Sequence, residues 1–255
     1  DFIRLNKKNN IRVTILGAGS NTLIRDKGIK GVVIKLGQGF TGINLVKKNV
    51  IEVGAATLDR KISNFAKDKE IGNLEFLSCI PGSIGGAVIM NSGCYENDIS
   101  NVLVSINVID LKSCEEKEIK KEEIKFFYRG TNLSKELIIT SVKLKGTESS
   151  KEFIKKKQNE LIEKKKLSQP SQIKTCGSTF KNISKEKKAW QIIKETGCDN
   201  FNEGDAVISK KHCNFFVNNG KAKSSDIEKL INKVKQNVED KTGVNLELEI
   251  KIIGE

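Results

Sequence analysis

Ser178 sits in Gly177-Ser178-Thr179-Phe180-Lys181-Asn182, a hydroxyl between a glycine and a Lys-Asn pair. A serine so placed can serve as a nucleophile, as a proton donor or as an ordinary turn residue. His212 is the only histidine and no carboxylate lies close to Ser178 in sequence, which argues against a Ser-His-Asp triad. From spacing alone the turn serine is the simpler reading. Arg129 follows Phe126-Phe127-Tyr128, a setting in which a guanidinium can be held rigidly to meet a carboxylate at two points. A surface turn arginine is an equal alternative. Glu249 falls in a terminal segment where Leu246, Leu248, Ile250 and Ile252 alternate with Glu247, Glu249 and Lys251, a pattern that favours a solvent-facing carboxylate. In Lys211-His212-Cys213-Asn214 a structural histidine is the economical reading, with Lys211 and Asn214 able to meet substrate oxygens.

Glycines supply a second chemistry. Ile80 to Ile99 is an apolar run without a charge until Glu96, interrupted by Gly82, Gly85, Gly86 and Gly93. Bare N–H groups along such a stretch can receive phosphate oxygens. Upstream, Leu16-Gly17-Ala18-Gly19-Ser20-Asn21 closes the alternating residues Ile11, Val13 and Ile15. Two glycine-lined cradles suit a ligand carrying a pyrophosphate, such as a dinucleotide. The Rossmann fingerprint GxGxxG needs a glycine where Thr22 stands and a long helix after it, and Gly28 and Gly31 interrupt the chain instead. A strand-turn-strand is therefore expected, with 32–36 as the next strand.

The elements that must hold these residues read as follows. A strand at 50–53 leads to Thr57 as helix N-cap; Leu58, Ile62, Phe65 and Ala66 recur at helical spacing until Gly72 stops them. Residues 102–108 and 137–144 alternate as strands around a charged hairpin at 112–123. A helix over 149–166 turns Phe153, Ile154, Leu161 and Ile162 inward. The stretch 168–174 reads as a linker, dividing the chain into domains 1–167 and 168–255. Beyond it come a helix at 188–195 that places Trp190 in a core, strands at 206–209 and 214–217, and a long amphipathic helix marked by Ile227, Leu230, Ile231, Val234 and Val238. Ser225 and Glu228 are expected to form its capping box, and 246–253 forms the last strand.

A length of 255 residues admits two domains. The net charge of +13 raises nucleic acid as a partner, but aromatics are 5% and the lysine runs 155–157 and 164–166 fall on a helix. A solvated face, or a field steering a phosphorylated substrate, explains them better. Six cysteines without a CxxC pair, beside one histidine, make neither a disulfide framework nor a zinc module. No apolar span of about 18 residues and no leader pattern is present, so the reading is a soluble cytoplasmic protein with no membrane partner and no metal.

The motifs LGAGSNTLIRDKGIKGVVI, NLEFLSCIPGSIGGAVIMNSGCYENDI, YRGT, GSTFKN, GDAVISKKHCNFFVNNGKA and LELEIKIIG occur in one order, and together they resemble the UDP-N-acetylenolpyruvoylglucosamine reductase family of bacterial cell-wall synthesis. The resemblance implies an α+β protein: an FAD-binding domain of the vanillyl-alcohol-oxidase (PCMH) type, followed by a smaller α+β substrate-binding domain. FAD would be held by Gly17, Gly19, Ser20 and Asn21 of the first cradle, and by Pro81, Gly82, Ser83, Gly85, Gly86, Asn91 and Gly93 of the second. NADPH would reduce FAD and leave, and the enolpyruvyl sugar nucleotide would enter the same site. Hydride then passes to its C3 while Ser178 protonates C2. Arg129 and Glu249 would support the enolate, and Lys181, Asn182, Lys211 and Asn214 would contact substrate.

The family carries a further N-terminal portion with a TxxxG element, which nothing before Asp1 supplies; Ile183 stands where proline is usual, and no tyrosine-bearing insertion separates Arg129 from Ser178. The shorter family subtype is expected, as a monomer. Other readings are a flavin oxidase of the same superfamily acting on a hydroxy acid or polyol, and a basic nucleic-acid-binding protein.

Overall fold

The structure, a computed structural model, describes residues 2–184 and 186–255. Helices and strands are mixed throughout, as expected for an α+β protein. The chain packs as two compact units that are not contiguous in sequence: 1–18 with 31–165, and 19–30 with 166–255.

In the first unit, an antiparallel sheet runs in the order Glu116–Lys120, Leu103–Asp110, Leu137–Lys145, Val50–Gly54, Ile43–Lys47. Its inward residues Val53, Ile106, Val108, Val142 and Leu144 join one apolar cluster with Phe76, Leu77, Ile84 and Val88. Val13–Ile15 and Val32–Ile34 pair in parallel as a separate two-stranded sheet. Helix Asp59–Asp68 buries Ile62, Ser63 and Ala66. Helix Lys151–Ser168 buries Ile154, Gln158 and Leu161, and Gln158 Nε2 donates to Ser63 Oγ at 2.7 Å.

Several local expectations are corrected in this unit. Thr57 does not cap its helix: Leu58 precedes the first turn. The backbone of 57–59 is instead claimed by the glycine stretch, with Ile84 N donating to Thr57 O and Asp59 N to Gly82 O. The helix ends before Gly72, at Lys69, and Glu70 takes the left-handed turn at φ +57. Phe153 is 58% exposed, because the inward stripe of its helix passes through Gln158 rather than through Phe153.

The smaller unit has a four-stranded antiparallel sheet, ordered Thr175–Ser178, Phe215–Asn218, Ala206–Ile208, Asn202–Glu203. Helix Ser224–Thr242 covers it and buries Ile227, Leu230, Ile231, Val234 and Val238, each contributing roughly 1.5–3 kcal/mol of apolar transfer. Trp190 is 37% exposed, so the core face of its helix is carried by Ala189, Ile192 and Ile193. The terminal strand is short, Lys251–Ile253, and pairs in parallel with Thr22–Ile24. That second strand escaped the sequence reading, and it is why 19–30 packs with the C-terminal residues.

The expected Ser225–Glu228 capping box does not form: Asp226 accepts Lys223 N–H at 2.9 Å, and Asp26 completes the cap from afar. Asp26 accepts Ser224 N–H at 2.7 Å and Ser225 N–H at 3.1 Å, while Glu228 pairs with Arg25 at 2.9 Å. Ser225 above all, through its hydroxyl, holds the Asp26 carboxyl down to about 2 from 3.8. A lowered carboxylate adds stability above its ordinary value and loses it as pH falls through the folded value. Asp26→Ala is thus expected to lower Tm at neutral pH, and thermal melts should show that deficit narrowing between about pH 4 and pH 2. A deficit independent of pH would remove the carboxylate from the cap.

Candidate functional site

Each unit carries part of the chemistry. In the first, the two cradles meet: a Cβ on Gly17 would lie 3.1 Å from Ser83 Oγ and 3.8 Å from Gly86 Cα. The second cradle runs through helix Ile84–Ile89, whose entry pairs with 55–59. Its glycines divide by role. A Cβ on Gly85 would sit 3.1 Å from both Ala55 Cβ and Ala55 O, and one on Gly93 only 2.4 Å from Asn97 O; these two permit the chain to pack against itself. At Gly86 only Ser83 Oγ, at 3.9 Å, comes within 4 Å of that position, leaving space that a ligand can use. Ser83 is buried and Pro81 exposed.

Asn91 is an internal hub. Its Nδ2 donates to Asp98 Oδ2 and Phe127 O, both at 3.2 Å, and its Oδ1 accepts Ser100 N–H at 3.0 Å. Arg129 takes φ +59, donates from Nη2 to Gly93 O at 3.0 Å, and lies 4.9 Å over the Tyr128 ring. The cation is thereby tied to the end of the second cradle. Sequence reasoning missed Asp59 and read Thr57 only as a helix cap. Asp59 is fully buried, its two carboxyl oxygens and Thr57 Oγ1 find no partner among the described residues, and burial pushes the Asp59 carboxyl up to about 8. An aspartate opening a helix reads as an ordinary first-turn acid, so no local signal could have singled it out.

In the second unit, Gly177 at φ +87 turns the chain so that Ser178 closes the strand Thr175–Ser178. Thr179 O accepts Glu249 N–H at 2.9 Å, and Glu247 O accepts Lys181 N–H at 2.8 Å; GSTFKN and LELEIKIIG therefore run side by side. Residues of the first cradle join them. Asn21 Nδ2 donates to Glu249 O at 3.0 Å, and Ser20 O lies 3.8 Å from where a Gly177 Cβ would stand. Gly19, at φ +81, has nothing within 4 Å of its own Cβ position.

Asn214, 3% exposed, grips the backbone of Phe180: Nδ2 donates to Phe180 O at 2.8 Å and Oδ1 accepts Phe180 N–H at 2.9 Å. Asn182 Oδ1 accepts Ala189 N–H at 3.2 Å, and Lys181 Nζ pairs with Glu247 at 3.2 Å. Lys211 Nζ donates to Lys166 O. His212 Nδ1 accepts Asn214 N–H at 3.3 Å, its ring 5.0 Å from that of Phe215, and burial lowers its pKa; it is a structural residue, as read from the sequence. Asn214→Ala leaves the Phe180 N–H and C=O unpartnered in a buried place, at about 1–3 kcal/mol. Urea unfolding should register that loss together with a fall in kcat, since the same residue sets the course of 178–181. Unchanged stability would mean that Asn214 does not hold this loop.

These cradles fit FAD: one glycine turn abuts the other, and Gly86 leaves open the space a side chain would fill. Among the described residues no group of three His, Cys, Asp or Glu side chains is set to hold a metal ion, and no helix is long and apolar enough to cross a membrane. Residues 1–115 match the family model described as "FAD binding domain". Fold and site define an FAD-containing oxidoreductase. Residues 169–253 match the model of the UDP-N-acetylenolpyruvoylglucosamine reductase C-terminal domain.

A UDP-N-acetylenolpyruvoylglucosamine reductase of Pelagibacter ubique (strain HTCC1062) is 48% identical over 95% of this chain and 80% of its own length. That of Wolbachia pipientis wMel is 42% identical over 100% and 86%. The crystal structure of the Thermus caldophilus enzyme matches with a TM-score of 0.85 at 33% identity, covering 97% of this chain and 88% of the other. The chain belongs to the UDP-N-acetylenolpyruvoylglucosamine reductase family, whose members act in peptidoglycan precursor synthesis on a UDP-sugar with a nucleotide cofactor.

Proposed function

We propose that this chain reduces UDP-N-acetylglucosamine enolpyruvate to UDP-N-acetylmuramate with NADPH as reductant, as a monomer in the cytoplasm. The observation that carries the reading is the Asn21 amide on the Glu249 carbonyl beside Gly177, which joins a residue of the FAD cradle to both segments assigned to the reaction. FAD, once bound in the cradles, would supply the hydride chemistry that links the nicotinamide to C3 of the enolpyruvyl group. The Ser178 hydroxyl gives the proton to C2. A serine is a weak acid, so the strongly basic centre formed by hydride addition must draw that proton.

Arg129 meets the negative charge growing on the pyruvyl carboxylate, and a preorganised cation lowers that barrier. Glu249 is paired with Arg129 in supporting the enolate. Lys181 and Lys211 meet the substrate phosphates, while Asn214 and Asn182 hold the segment on which Ser178 and Lys181 stand. Gly17, Gly19, Ser20 and Asn21 are assigned to the FAD pyrophosphate, as are Pro81, Gly82, Ser83 and Gly86, whose stretch Gly85, Asn91 and Gly93 keep in shape. The functional division of the chain falls at 167/168. Six unpaired cysteines suit the reducing cytoplasm.

The test is the visible spectrum of the FAD-loaded protein without air. Flavin bands should bleach with NADPH, more slowly with NADH, and return when the enolpyruvyl sugar nucleotide is added. Bands that bleach and do not return with that substrate would overturn the reading.

A further inference from the structure

Thr57 and Asp59 stand behind the second cradle. Asp59 N–H donates to Gly82 O and Ile84 N–H to Thr57 O, which sets Leu58 and Ser83 opposite each other in an antiparallel bridge. Successive side chains of an extended segment point to opposite faces. Leu58, which is exposed, and Ser83, whose Oγ lies 3.1 Å from the Cβ position of Gly17, share the front, where the two cradles meet. Thr57, Asp59 and Ile84, each 1% exposed or less, share the back. A ligand on the front meets Ser83, not Asp59. Ser63, one helical turn beyond Asp59 and on the same side, is buried too, and its Oγ accepts Gln158 Nε2 at 2.7 Å. Thr57 Oγ1 and both Asp59 carboxyl oxygens have no such partner among the described residues. Buried polar atoms are nearly always paired, and water is small enough to serve all three of these oxygens from one place.

We propose that Thr57 and Asp59 hold a buried water behind the second cradle, and that Asp59 is through it a positioning residue for FAD. The acid O–H donates to the water, the water donates to Thr57 Oγ1, and Asp59 N–H stays on Gly82 O. That arrangement needs the proton, because a carboxylate accepts hydrogen bonds and donates none. Burial pushes the Asp59 carboxyl up to about 8, so the acid form persists at neutral pH. Of the charged and titratable groups on the elements packed here, Arg60 and Lys61 are exposed, Glu75 is buried and pairs with Lys157 at 3.8 Å, and Lys165 donates to Cys79 O. The cause of the Asp59 shift is burial. Once ionised, the carboxylate draws in further water, and the segment 57–59 loosens its grip on Gly82 and Ile84. The inference rests on the reading of Gly82 and Ser83 as FAD contacts.

The experiment dilutes the FAD-loaded protein into buffers on either side of pH 8 and follows flavin release by fluorescence. In the wild-type protein, release should quicken by up to roughly ten-fold per pH unit above about 8. Asp59→Asn, whose amide donates and accepts without titrating, should match wild type within roughly three-fold at neutral pH and show no such rise. Asp59→Leu should release FAD roughly ten-fold faster at neutral pH. The infrared carbonyl stretch of a protonated carboxylic acid should be present in wild type at neutral pH, fade on the alkaline side and be missing from Asp59→Asn. A crystal structure of the loaded protein should show an ordered water within hydrogen-bond reach of Thr57 Oγ1 and the Asp59 carboxyl. The proposal is overturned if that place is dry, if Asp59→Asn keeps the wild-type pH rise, or if Asp59→Leu holds FAD as wild type does. Ser83→Ala, a change on the front, tests the cradle separately: faster release there but not in Asp59→Leu would keep the cradle and remove the positioning role. No NADPH or substrate enters the assay, so the outcome does not depend on the reductase reading. The comparison of wild type with Asp59→Asn decides even where the leucine variant folds poorly.

Discussion

Replacing Ser178 by alanine is expected to slow reoxidation of the reduced flavin by the enolpyruvyl sugar nucleotide by roughly 10²–10⁴-fold, the range for a positioned proton donor. Reduction by NADPH should be unchanged, because no proton reaches C2 in that half of the cycle. Ser178 ends a strand bonded to Phe215–Asn218, and the next two residues are held by Asn214 and by Glu249 N–H. Loss of one hydroxyl should therefore leave the backbone in place. Stopped-flow measurement of the two half-reactions separates the outcomes. Normal reoxidation in Ser178→Ala would remove the serine as donor while leaving the family intact; equal slowing of both halves would point to a disturbed flavin instead.

Arg129→Ala should cost roughly 10²–10³ in kcat, the scale for removing one preorganised group that stabilises developing charge. Arg129→Lys should recover little of it, since an ammonium cannot reproduce the planar two-point geometry. The backbone at Arg129 is left-handed and its guanidinium is fixed by Gly93 O and Tyr128, so the charge arrives already oriented. FAD content, read from the absorbance ratio after gel filtration, is the control. Full flavin with lost substrate turnover supports the assignment, whereas a colourless variant would make Arg129 a tether for the end of the cradle.

The order of the motifs and the strongly periodic elements were legible in the chain itself, and the α+β class followed from the family resemblance. Ile227 to Val238 is a helix because its apolar spacing closes one stripe, and 103–110 and 137–145 are strands because theirs alternates. Both patterns are local, so they survive without knowledge of the partner. The glycine cradles could be named as motifs for the same reason, whereas Ser178 and Glu249 stand out only through the family resemblance, because local pattern alone reads them as a turn serine and a solvent-facing carboxylate.

What the local patterns could not contain was which distant group completes each piece. Asp26, rather than Ser225 and Glu228, caps the long helix from 198 residues away. Thr22–Ile24 becomes a strand because Lys251–Ile253 lies beside it, three residues being too few to announce a strand by periodicity. Asn214, which reads as a substrate contact, spends its amide on Phe180, and Asn91 spends its own within the first unit. Asp59 looks like an ordinary first-turn acid until packing removes it from water. The residue types and their order followed from sequence alone; which polar group was satisfied, buried or left for a ligand was decided by tertiary packing, because hydrogen-bond partners and desolvation depend on neighbours that the chain brings together only when folded.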